Sequence, residues 1–201
     1  MLSPAPELPS DMGHQVPMSP LPPAEPRLFL AVLGGRARGC HIELHDVRFV
    51  VGATIDAAIP ELRRQWFGLR EGLHLDAWMA VQAVDGWTVR LQRQPDAPRP
   101  ERLWFVNLGA YRPDCLAELH HFGLVVARSP QAAKAAARRQ WLRGELQQHK
   151  DDLCAVDDCL AIEQLELLGG ERWHVRLEQH PEGLSQPQVP DWFGYRRIDR
   201  S

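Results

Sequence analysis

Two short patterns in this chain bring together side chains able to hold a cation or move a proton. Glu43-x-His45 recurs as Glu118-x-His120, and His74-x-Asp76 recurs as His149-x-Asp151. Residues two apart share one face of an extended strand. Two imidazoles and two carboxylates form a donor set for a hard or borderline cation, or an acid–base pair. The face carrying the first pattern continues as Val47, Phe49 and Val51 in one copy and as Phe122, Leu124 and Val126 in the other. Such a face is expected to be buried so that the sheet can hold its helix. A buried carboxylate and imidazole must then find partners or incur a desolvation cost on the order of a few kcal/mol. The structural expectation is that Glu and His of each copy satisfy each other or cap backbone groups in the Gly-rich turn. The alternative is a ligand or metal site built from Glu43, His45, His74 and Asp76, and a second from Glu118, His120, His149 and Asp151. Proximity of His74 to His45, and of His149 to His120, discriminates between them.

Other patterns carry less chemistry. Arg63-Arg64 and Arg138-Arg139 are expected in the last turn of a helix, where guanidinium groups suit the dipole. GGRARG, residues 34–39, follows a strand but precedes another strand, so it lacks the helix N-terminus a phosphate loop needs. The cluster Asp151, Asp152, Asp157 and Asp158 lacks the spacing of a calcium loop. Cys40, Cys115, Cys154 and Cys159 form no C-x-x-C pair and are expected to be free thiols.

The elements that position these residues come from an internal repeat. At an offset of 75, the 41 residues from Leu28 align without gaps on those from Leu103 with 15 identities, among them Gly34, Glu43, His45 and Trp66. Composition alone gives roughly two or three matches. The alignment continues through His74/His149 and Val81/Val156, then resumes at Trp87/Trp173 with an offset of 86, so 11 extra residues are expected after Val156. Each copy reads β-β-α-β-β: an apolar strand, a Gly-Gly or Gly-Ala turn, an alternating strand, a helix capped by Thr54 or Ser129, and a terminal hairpin. Ile55, Ala58, Ile59, Leu62 and Trp66 form the stripe of the first helix, with a kink or an early irregular turn expected at Pro60. The predicted fold is α+β, with two homologous lobes related by a pseudo-twofold, each a small four-stranded sheet covered by one helix.

The expected organisation is a Pro-rich, disordered leader over residues 1–26, lobe 1 over 27–94, a linker over 95–102, lobe 2 over 103–180 and a tail over 181–201. In the tail, Trp192, Phe193 and Tyr195 are expected to dock on the body or on a partner. With 23 basic and 26 acidic residues, the chain is not composed like a nucleic-acid binder or a polybasic membrane protein. It has no apolar run of spanning length and no signal-peptide pattern, so a soluble, cytoplasmic protein is expected. The expected function is non-catalytic binding of an unidentified small ligand or protein partner. The alternative is a metal- or acid–base-dependent enzyme using the repeated residues, and no cofactor is identified by them.

The strings LGG, ELHD and FVVG, then a helix ending in Trp, then HLD, with a second LG-ELH-VV copy downstream, resemble a bacterial tandem-repeat family known as domain of unknown function 1543. The resemblance spans about residues 28 to 180. It implies a tandem-domain intracellular protein with no established activity.

Overall fold

The computed structural model describes residues 25–111, 114–141 and 154–200. Most of the Pro-rich leader, with its expected disorder, lies outside the described residues, as do His149 and Asp151. The first copy contains β1 (Arg27–Gly35), β2 (Leu44–Gly52), α1 (Ile55–Gln65), β3 (His74–Val81), β4 (Ala83–Val84) and β5 (Trp87–Gln92). The second contains β6 (Arg102–Ala110), β7 (Leu119–Ala127), α2 (Pro130–Trp141), β8 (Cys154–Ala161), β9 (Gln164–Glu166) and β10 (Arg172–Gln179), followed by the tail strand β11 (Trp192–Arg197). Gly34 and Gly35, expected in a turn, are the last two residues of β1.

Both helices start on the predicted caps. Thr54 Oγ1 accepts from the Ala57 amide and Ser129 Oγ from the Ala132 amide, each at 3.2 Å. Pro60 lies within a continuous α1, where its missing N–H deprives only the Asp56 carbonyl in the first turn. α1 packs Ile55, Ala58, Leu62 and Trp66 against Phe29, Ala31, Leu33 and Val50. The alternate residues of β1, Leu28 and Leu30, face the opposite way. The continuous apolar run of β1 thus reflects cover on both faces.

The strands form three sheets, ordered β11-β3-β1-β2, β7-β6-β8 and β4-β5-β10-β9. The expected four-stranded sheet per copy is therefore corrected: each copy keeps three strands under its helix and sends its terminal hairpin into a sheet built by both. A β-hairpin with one face bare is unstable alone, and pairing with its repeat supplies what it lacks. Strand β5 meets β10 antiparallel with Arg90 opposite Arg176, and these are equivalent positions of the repeat. Glu178 lies 3.1 Å from Arg176 and 3.9 Å from Arg90, relieving the like charges. Behind the shared sheet, Leu28, Leu30 and Met79 of one copy meet Leu103, Phe105 and Leu124 of the other in one core. Phe49 stands edge-on to Phe105 at 5.5 Å.

Each hairpin also reaches the opposite copy with a polar contact. Asp85, in the β4–β5 turn, accepts from the Val126 amide at 2.8 Å and from Gln140 at 3.2 Å. In return the Leu168 amide, between β9 and β10, donates to Glu61 of α1 at 2.9 Å. Glu61 is 4% exposed and also accepts from Arg64 and Gln65. Burial raises its pKa, but those hydrogen bonds outweigh it and leave the carboxyl below its ordinary value.

The strand register revises the repeat alignment. Leu33 pairs with Leu75, and its equivalent Leu108 pairs with Val156, an offset of 156 − 75 = 81. Six extra residues therefore precede β8, and the remaining five, 86 − 81, fall between β8 and β10. The expectation of all 11 after Val156 fails because six of them fall before β8, whose pairing with β6 keeps the register that β3 has with β1.

Glu61→Gln should lower stability by about 1–3 kcal/mol near neutral pH. Because the folded pKa is depressed, the carboxylate's contribution is present above the ordinary glutamate range and is lost as pH falls through and below it. Urea unfolding of parent and variant at neutral and acidic pH should show the gap closing in acid.

Candidate functional site

Strand β1 is the common partner of β2 and β3. Gly34 pairs with His45 on one side and with His74 on the other, so the two imidazoles flank one glycine on one face of the sheet. A bulge between Val32 and Leu33 inserts Asp76 as the extra residue of β3. Glu43 enters from the residue just before β2. The four candidates of lobe 1 therefore converge, although they come from separate segments.

Asp76 lies between the rings, with Oδ1 3.2 Å from His74 Nε2 and Oδ2 3.2 Å from His45 Nε2. Glu43 presents Oε1 at 3.7 Å to His74 Nε2 and Oε2 at 3.9 Å to His45 Nε2. Ligand atoms of Glu43, His45 and His74 all lie within 4.8 Å of one another. Gly34 is a steric requirement: a Cβ there would collide with His74 Nε2 and stand 2.9 Å from Asp76 Oδ2.

The expectation that Glu43 and His45 are buried under the helix is not met. Their face, with Val47 and Phe49, looks toward lobe 2, and their side chains are 41% and 53% exposed. α1 occupies the other face, reached by Val50. His74 is the buried member at 1%. Beside the group, Leu30, Val32, Trp78, Met79, Phe122 and Val189 line an apolar cleft of about 250 Å³ between the lobes.

The orientation of His74 is determined by its surroundings. Nδ1 lies 2.7 Å from the Gly72 carbonyl, which can only accept, so Nδ1 carries the proton. Nε2 then faces the carboxylates of Asp76 and Glu43, where it can donate a second proton to them or direct its lone pair at a cation held between them.

The tail completes this wall. β11 pairs with β3, Arg197 beside His74 and Phe193 beside Ala77, with Gly194 and Tyr195 opposite the Asp76 bulge. The Tyr195 ring leans on His74, centroids 4.1 Å apart. Ile198, 2% exposed, anchors the strand, while Phe193 remains 79% exposed and Trp192 is half-buried. Arg63, expected to serve the helix dipole, also donates to the carbonyls of Ile198 and Arg200. Asp199 accepts from the Gly72 amide at 2.9 Å, and Arg197 with that amide holds its carboxyl well below the usual carboxylate range. Sequence reasoning missed Gly34, Gly72, Tyr195 and Asp199 as parts of the site. Only the repeated Gly34/Gly109 carried a signal.

Lobe 2 differs. His120 Nε2 is 3.8 Å from Glu118, and its Nδ1 is 3.3 Å from Asn107 Nδ2. Opposite Gly109, where lobe 1 has His74, the register places Ala155. His149 and Asp151 lie outside the described residues.

Gly34→Ala should cost about 1–3 kcal/mol by overpacking against His74. Thermal melts of cation-free parent and variant check this, since the penalty needs no ligand.

Among the described residues, no helix is long and apolar enough to cross a membrane. No curated protein matches the chain. The crystal structure of a protein Il1583 from Idiomarina loihiensis shares 38% identity, with 87% of this chain and 98% of that chain covered and a TM-score of 0.65. A family model described as Domain of Unknown Function (DUF1543) matches twice, over residues 40–91 and 115–164. Two matches in one chain, each spanning the Glu-x-His strand and the helix after it, agree with the repeat. The chain is a member of the DUF1543 family in tandem form.

Proposed function

We propose that this protein is a non-catalytic ligand-binding protein whose lobe 1 holds a divalent first-row transition cation between Glu43, His45, His74 and Asp76. The observation that carries the reading is the inward turn of both Nε2 atoms onto the two carboxylates, with His74 Nδ1–H held by the Gly72 carbonyl. Ligands about 2.1 Å from a tetrahedral ion lie about 3.4 Å apart. The four nitrogen–oxygen separations, 3.2, 3.2, 3.7 and 3.9 Å, run to both oxygens of each carboxylate, so a bound ion would draw one oxygen of each to that spacing. Mixed imidazole and carboxylate donors suit zinc and its neighbours better than calcium or magnesium. The His74–Gly72 bond is the second-shell contact that usually orients a ligating imidazole.

The lobes are related by a pseudo-twofold through the Arg90–Arg176 pair, a reading supported by equivalent residues facing each other there. In this reading lobe 2 serves as scaffold, and its apolar Phe122 lines the cleft between the lobes. A cytoplasmic setting fits the free thiols of Cys40 and Cys115. The second reading, an enzyme using the same residues, draws on the solvent access of Glu43 and His45.

Calorimetric titration with zinc should show one strong site per chain. His45→Ala and His74→Ala should abolish it, and His120→Ala should leave it intact. Hydrolysis of activated esters by zinc-loaded protein, lost in Glu43→Gln while zinc is retained, would favour the enzyme instead.

A further inference from the structure

We infer that β11 is a working wall of the cation site, its docking coupled to cation binding, with Tyr195 and Asp199 as positioning residues that act through His74. This inference rests on the cation reading above. His74 ligates through Nε2 only if Nδ1 keeps its proton on the Gly72 carbonyl. The peptides on either side of the one that bears this carbonyl are held from the tail, because Asp199 accepts from the Gly72 amide and the Ile198 amide donates to the Leu73 carbonyl at 2.9 Å. On the other side of the imidazole, Tyr195 covers the ring and limits its rotation.

That position of Tyr195 depends on a local irregularity. The β11 register shifts between Phe193 and Arg196, and Gly194 adopts φ 149°, a conformation other residues rarely take. Regular pairing would displace Tyr195 from its place opposite the Asp76 bulge. Tyr195 itself is 64% exposed, so it contributes little to the core and a great deal to the ring. The rest of the tail is fastened independently, by Ile198 in the core under α1 and by Arg196 on Asp56 at the start of that helix. A cation that fixes His74 favours the docked tail, and by thermodynamic reciprocity the docked tail tightens the cation by the same factor.

Zinc calorimetry on the full-length parent, Tyr195→Ala and Asp199→Ala, with cobalt absorption as a probe of ligand geometry, tests the coupling. Both variants should bind zinc on the order of 10- to 100-fold more weakly, as second-shell losses do, and show altered cobalt bands. Tyr195→Phe, which keeps the ring, and Asp199→Asn, which keeps an acceptor for the Gly72 amide, should restore both readouts. Zinc should also slow tryptic cleavage after Arg196 and Arg197 in the parent and less so in Tyr195→Ala. Parent-like zinc affinity and cobalt spectra in the alanine variants would overturn the coupling and leave the cation reading standing. A parent that binds neither metal would overturn both.

Discussion

The antiparallel pairing of β5 with β10 is the constraint on which the rest of the molecule depends. Each copy of the repeat has a three-stranded sheet with a helix on one face and bare hydrophobic surface on the other. Neither copy has enough chain to cover that second face. Crossing the terminal hairpins lets each cover the other, so Leu28, Leu30 and Met79 meet Leu103, Phe105 and Leu124 in one core. The exchanged contacts of Asp85 and Glu61 then satisfy buried polar groups where each hairpin tip reaches the opposite lobe. A carboxylate buried by that crossing is stabilising only because Arg64, Gln65 and a backbone amide meet it there.

The candidate site follows from the same geometry. Because the helix occupies one face of the β3-β1-β2 sheet, the other face looks into the interlobe space, where it is neither fully buried nor fully open. Glu43 and His45 lie at its wet end and Val47 and Phe49 at its dry end. The bulge at Asp76 and the absent side chain of Gly34 make room for four polar groups that an ordinary pleat would hold apart. Lobe 2 repeats the strand and the glycine, but not the imidazole opposite it, since Ala155 occupies that register position.

The repeat, the helix caps, the Glu-x-His strand and its apolar continuation were all legible in the chain. They depend on local periodicity and on identities repeated at a constant offset, and Thr54 and Ser129 cap the helices as their residue types predict. The partner of each hairpin was not legible. A short alternating strand such as WTVRLQ pairs equally well in pattern with its own sheet or with its repeat, and only the summed burial of two lobes decides between them. Alternation puts Glu43 and His45 on one face with Val47 and Phe49, yet that face looks toward lobe 2 while the helix covers the other. Alternation reports which residues share a face, not which neighbour covers it.

Local interactions and direct repetition along the chain are enough to set the number of copies, their order of elements and the residue types offered for chemistry. Tertiary structure alone decided that His74 and Asp76 meet Glu43 and His45, since β1 must lie between their strands. It also decided that Tyr195 and Asp199, more than a hundred residues downstream, border that group. Those contacts arise from strand order and from the edge that β11 selects, both set by which surfaces exclude water together.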